Sequence, residues 1–158
     1  MKNKGQSKAL IARYQQSIFA LVLYLIGGDQ DAAYNICATS FAEALSRSSS
    51  LEQEEAFLTR LIDTAIKKTR ATKTIPVSDE LEFLDVPLAK KGPLRVVLKA
   101  FQILDFDEKA LLLLRDQLNL SYRNIASSMR ISESSAKQKI IQARIQFREK
   151  LEETVNDG

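Results

Sequence analysis

From Leu10 to Ile26 the apolar residues Leu10, Ile11, Tyr14, Ile18, Leu21, Val22 and Leu25 recur at helical spacing. Gly27-Gly28 ends that pattern, and Asp29 can cap a second helix, QDAAYNICATSFAEALSR, with Ala33, Ile36, Cys37, Phe41, Ala44 and Leu45 inward. The polar loop SRSSSLEQEE follows. A third helix, from about Glu54 to Arg70, would bury Phe57, Leu58, Leu61, Ile62 and Ala65. Three amphipathic helices of this length can share one core.

The period breaks between about Ala71 and Pro93. That stretch holds Pro76, Pro87, Pro93 and Gly92, and reads as a linker with a short helical turn at Leu81 to Leu84. Four further helices follow: Leu94 to Leu104, Asp107 to Leu118, Tyr122 to Met129, and one from Ser132 to about Lys150. Asp105 or Asp107 can cap the second of these. Ser121 and Ser132 can cap the last two. No run reads as a strand. The expected fold is all-α: two small helical domains, residues 8–71 and 94–154, joined by a linker, residues 72–93.

The last two helices have the spacing of a helix-turn-helix, with Ile125, Ala126, Met129, Ile131, Ala136 and Ile140 buried between them. At about 100° per residue, Ala136, Ile140, Ala143, Phe147 and Leu151 form the inward stripe of the final helix. Ser135, Gln138 and Gln142 lie roughly opposite, with Ser134 and Ile145 nearby. Lys137, Arg144 and Arg148 flank one edge of this polar face, and Lys139 flanks the other. Central amides and hydroxyls can bond base edges while cations at the rims meet phosphates. The candidate major-groove residues are therefore Ser134, Ser135, Lys137, Gln138, Lys139, Gln142 and Arg144. Arg130 falls at the turn, where positive φ is expected and Gly is the usual occupant.

Charge excess adds little, since 23 Lys and Arg face 20 Asp and Glu. Its distribution says more. Basic residues cluster on the final helix and again at Lys67, Lys68, Arg70 and Lys73. With no histidine and only Cys37, imidazole chemistry, thiolate metal sites and an internal disulfide are excluded. The five glycines form no phosphate-cradling loop. No cofactor and no enzymatic activity are expected. The apolar run Ile18 to Ile26 is far shorter than the roughly 20 residues that span a bilayer. With no signal-peptide pattern, a cytoplasmic protein without membrane insertion is expected.

Nearly the whole chain resembles a small bacterial sigma factor of the extracytoplasmic-function type. In the second half, Leu113-Leu114-Arg115, then Ser121, Tyr122, Ile125 and Ala126, then Ser135-Ala136-Lys137 and Gln142-Ala143-Arg144 are similar to the family's region 4. In the first half, Gly28, Asp29, Ala33 and Phe41 match region 2, while Tyr34, Asn35 and Ala38 stand where the family has Glu, Asp and Gln. Phe57-Leu58 occupy its Trp-Leu positions.

The resemblance implies a transcription-initiation factor whose partners are core RNA polymerase and promoter DNA. Polymerase would dock on Tyr34, Asn35, Ala38 and Thr39. The melted minus-10 element would meet Ser48, Ser49, Arg60, Lys67, Lys68 and Arg70, and the final helix would read the minus-35 element. Two other roles stay open: a sigma-like module that occupies an anti-sigma factor without starting transcription, and a repressor that uses only the C-terminal half.

Overall fold

Three helices form where the first apolar pattern runs: α1 (Lys4–Ile26), α2 (Gln30–Ser46) and α3 (Glu54–Ala71). The computed structural model describes residues 4–27, 29–47, 53–72 and 93–157. The helical turn expected at Leu81 to Leu84, and the linker around it, lie outside the described residues. Asp29 opens α2 as expected, its carboxylate accepting from the Ala32 amide at 3.0 Å. Acidic Glu54 and Glu55 stand in the first turn of α3 and Lys68 and Arg70 in its last, each favourably placed on the helix dipole. Arg13 and Tyr14 both donate to the Glu54 carboxylate, which pins α1 to the start of α3. Burial, and then the neighbouring Glu54, raise the Tyr14 phenol above its ordinary pKa.

The core of this half is built from Ile18, Leu21, Val22 and Leu25 of α1, Ala33, Ile36 and Phe41 of α2, and Phe57, Leu61 and Ile62 of α3. α1 begins at Lys4, well ahead of the expected start at Leu10. It is the one described helix long and apolar enough to cross a membrane, by length and composition. Ile18, Leu21, Val22 and Leu25 are nonetheless spent on the protein core, each fully buried.

The second half contains α4 (Pro93–Ile103), α5 (Phe106–Leu112), α6 (Tyr122–Met129) and α7 (Glu133–Asp157). Asp105 opens α5, and Glu108 reaches back to accept from the Asp105 amide at 3.0 Å. The helix expected to continue to Leu118 widens into a π turn, Leu113–Gln117. The Leu118 amide there bonds the Leu113 carbonyl at 2.9 Å. Asn119 follows at φ 55°, and the Arg115 guanidinium closes the bend by donating to the Leu120 carbonyl at 2.8 Å. α7 runs past the expected end at Lys150 to Asp157. No strand occurs among the described residues, and the fold is all-α.

The halves expected as separate domains lie against each other. α3 packs on α6, and α1 packs on α5 and the π turn. Tyr24 meets Phe101 edge to face, with centroids 6.3 Å apart, and the Gln102 amide donates to the Tyr24 carbonyl at 3.3 Å. Buried side chains of both halves belong to one continuous apolar cluster.

Candidate nucleic-acid interface

Local chemistry builds the helix-turn-helix. The Ser121 hydroxyl accepts from the Asn124 amide at 3.1 Å and starts α6, and the Ser132 hydroxyl accepts from the Ser135 amide at 3.0 Å and starts α7. Between them Arg130 adopts the left-handed conformation, φ 59° and ψ 45°. The Ile131 amide then returns to the Ala126 carbonyl at 3.0 Å, a Schellman closure that ends α6 sharply. Ile125, Ala136, Ile140 and Ala143 are fully buried in the seam, so the rotation of α7 about its axis is fixed. Tyr122 sits between two cations, Arg115 at 4.4 Å and Lys137 at 5.6 Å from the ring centroid.

With that rotation fixed, Ser134, Lys137, Gln138, Lys139, Gln142 and Arg144 are exposed and Ser135 is half-buried. They are not equivalent. Ser134, Gln138 and Gln142 share the outward face, and Lys139 stands exposed at one edge of it. Lys137 leans toward Glu133, at 3.9 Å, and Tyr122. Arg144 turns to the side of the domain, 2.9 Å from Asp116, and lines a cleft with Phe101, Leu112, Leu113 and Phe147. Two residues on the outward face were not among those expected to contact DNA: Ile141, 57% exposed, and Ile145, 40% exposed. Large apolar side chains left in water beside two glutamines suit contact with thymine methyl groups. The 100° rotation already places both on this face, so the helical wheel carried the signal.

On α3, cations gather as expected but arrive already engaged. Lys67 stands 3.3 Å from Asp63, Lys68 3.0 Å from Glu43, and Arg70 2.6 Å from Asp107. The hydrogen bond from Lys68 holds the Glu43 carboxyl below its usual range. Arg60 is partly exposed on the same helix. Ser48 and Ser49 lie outside the described residues.

Tyr34, Asn35, Ala38 and Thr39 form an exposed strip of α2, with Tyr34 68% exposed. Thr39 is held in place by donating to the Asn35 carbonyl at 2.8 Å. Beside this strip a groove of about 590 Å³ opens between α1 and α2, lined by Ile11, Phe19, Tyr34, Ala38, Phe41 and Leu45. Cys37 also lines it, and burial raises its thiol pKa above the ordinary value. No cluster of His, Cys, Asp and Glu able to hold a metal occurs among the described residues.

Residues 94–147 match the family model for sigma-70, region 4. This segment, about a third of the chain, spans α4 through most of α7 and includes the whole helix-turn-helix. It is related to the sigma-70 family, in which this region is a promoter-binding, non-catalytic domain. No curated protein matches the chain.

Proposed function

We propose that this protein is a sigma factor of the extracytoplasmic-function type, which brings core RNA polymerase to promoters. α7 enters the major groove of the minus-35 element. There Ser134, Gln138 and Gln142 bond base edges, and Ile141 and Ile145 meet thymine methyls. Lys139 and Lys137 neutralise phosphates at the two rims, and Ser135 supports the start of the helix. Arg144 joins the contact to DNA by exchanging Asp116 for a phosphate. The first half contacts melted minus-10 DNA through Arg60, Lys67, Lys68 and Arg70, with the Ser48 and Ser49 loop beside them. Polymerase docks on the α2 strip of Tyr34, Asn35, Ala38 and Thr39. The observation that carries the reading is the outward face of α7, held by the buried seam of Ile125, Ala136, Ile140 and Ala143.

The test is transcription by core polymerase on a library of promoter fragments, with and without the protein. Transcripts that start at defined sites only when the protein is added, and that vanish when Gln138 and Lys139 are both changed to Ala, are the expected result. Absence of any protein-dependent transcript across the library would overturn it.

One observation favours a second reading. Tyr34 and Ala38, which stand where the resemblance has Glu and Gln, place an aromatic ring and a methyl on the wall of an apolar groove. Such a groove suits an amphipathic helix with apolar anchors, as an anti-sigma factor can offer. A sigma-like module that sequesters this partner would then co-purify with it and leave core polymerase unbound.

A further inference from the structure

Lys137 and Arg144 lie along one edge of α7, about two helical turns or roughly 10 Å apart. Each has a carboxylate close by, but the two carboxylates differ in where they stand. Glu133, 3.9 Å from Lys137, belongs to α7 itself and travels with it. Asp116 stands outside α7, in the π turn, and accepts from the Arg144 guanidinium at 2.9 Å. The direction of Arg144 is thus set from another element.

Asp116 cannot follow Arg144 outward. The π turn that carries it is closed by the Leu118 amide on the Leu113 carbonyl at 2.9 Å, and the Leu120 amide returns to the Leu114 carbonyl at 3.0 Å. Leu113 and Leu114 are buried. Neighbouring Arg115 is fixed between the Leu120 carbonyl, at 2.8 Å, and the Tyr122 ring, 4.4 Å from its centroid. An i→i+5 ring holds one residue more than an α-helical one, so the π turn sets the bearing of Arg115 and Asp116 together. Both side chains of the Arg144–Asp116 pair are about half exposed, which leaves the guanidinium within reach of a phosphate. A carboxylate on a fixed backbone and a phosphate at the groove rim therefore compete for one cation.

We infer that Asp116 is a positioning residue that limits DNA affinity by keeping Arg144 off the rim of α7 until a phosphate displaces it. The inference rests on the promoter-binding reading above and adds the residue that regulates that surface. An ion pair of this exposure biases the position of Arg144 by a factor of roughly 1.5 to 5. Apparent affinity falls by up to that factor, since only the released fraction of Arg144 offers its charge to a phosphate. Salt screens the pair and narrows the difference.

The experiment measures binding of the full chain to a randomised set of DNA duplexes at several salt concentrations. It compares the unaltered protein, Asp116→Asn, Arg144→Ala and the two changes together. The general gain from losing a negative charge enters both backgrounds and cancels. Asp116→Asn should raise affinity roughly 1.5- to 5-fold more with Arg144 present than with Arg144→Ala, and most at low salt. Arg144→Ala alone should lower the salt slope by about one phosphate. Asp116→Glu keeps the carboxylate and should return the affinity of the unaltered chain. NMR of the Arg144 guanidinium in the free protein should show it restrained, and released in Asp116→Asn. Equal gains in the two backgrounds, or a salt slope that Arg144→Ala leaves unchanged, overturns the proposal. A guanidinium signal that Asp116→Asn leaves unchanged does the same. If none of the proteins binds any duplex, the promoter reading fails and the limit on affinity with it, while the Arg144 signal still decides whether Asp116 holds that side chain.

Discussion

Replacing Arg130 by Gly and by Ala separates the two things this residue does. Its backbone is left-handed, φ 59° and ψ 45°, which strains any residue with a Cβ by roughly 1 kcal/mol relative to Gly. Its guanidinium, 68% exposed, pairs with half-buried Asp63 at 3.2 Å, and an ion pair of that exposure contributes about 0.2–1 kcal/mol. Arg130→Ala loses the pair and keeps the strain, so it should destabilise by about 0.2–1 kcal/mol. Arg130→Gly loses the same pair and relieves the strain, so its net stability change should be small. Subtracting one variant from the other cancels the ion pair. Arg130→Gly should therefore exceed Arg130→Ala by about 1 kcal/mol, which for a chain of this size is roughly 2–4 °C in Tm. Urea unfolding followed by circular dichroism at fixed salt measures the difference, with unchanged m confirming that the unfolded states are comparable. Equal stabilities, or a less stable Gly variant, would refute the left-handed turn and the Schellman closure built on it.

Ile140 is fully buried in the seam, so Ile140→Ala should cost about 2–5 kcal/mol in the same unfolding assay; a loss below 1 kcal/mol contradicts the packing of α7. In duplex binding, Lys139→Ala should weaken all sequences alike and lower the salt slope by about one phosphate, whereas Gln138→Ala should leave the slope and relax the preference for one base. Binding isotherms at several salt concentrations on a randomised duplex set separate the two. Glu43 titrates below the usual carboxylate range because Lys68 hydrogen-bonds it, so this pair supports the fold above the unfolded carboxylate pKa and the support is lost as pH falls through the lowered value. Lys68→Ala should move the Glu43 carboxyl, followed by NMR of its side-chain carbon, back toward the ordinary range.

Elements set by local chemistry were legible in the sequence. Asp29, Ser121 and Ser132 cap helices because each side chain needs only the amide three residues on. The left-handed Arg130 was expected because it stands in the turn of a helix-turn-helix, where Gly is the usual occupant. Helix ends set by tertiary contact were not legible. The π turn at Leu113–Gln117 follows an apolar run that an ordinary helix would carry equally well. Arg144 is drawn from the DNA-facing edge by Asp116, 28 residues earlier, and helical periodicity does not report such pairs. Docking of the halves is hidden for the same reason: Tyr24 lies beside the inward stripe of the first helix, and periodicity does not say that it meets Phe101, 77 residues later. The wheel set Ile145 beside the polar face and puts Ile141 there too, but their apolar character kept both off the set of expected DNA contacts.

The most direct test places a DNA-cleaving iron chelate on Gln138→Cys in a Cys37→Ser background, because Cys37 lines the groove between α1 and α2, and assembles this protein with core polymerase on a promoter it activates. Cuts clustered in the major groove around the minus-35 element, and absent without polymerase-bound promoter, are the outcome expected if α7 reads duplex DNA. Cuts spread evenly along the fragment, or none within reach of that element, would contradict it.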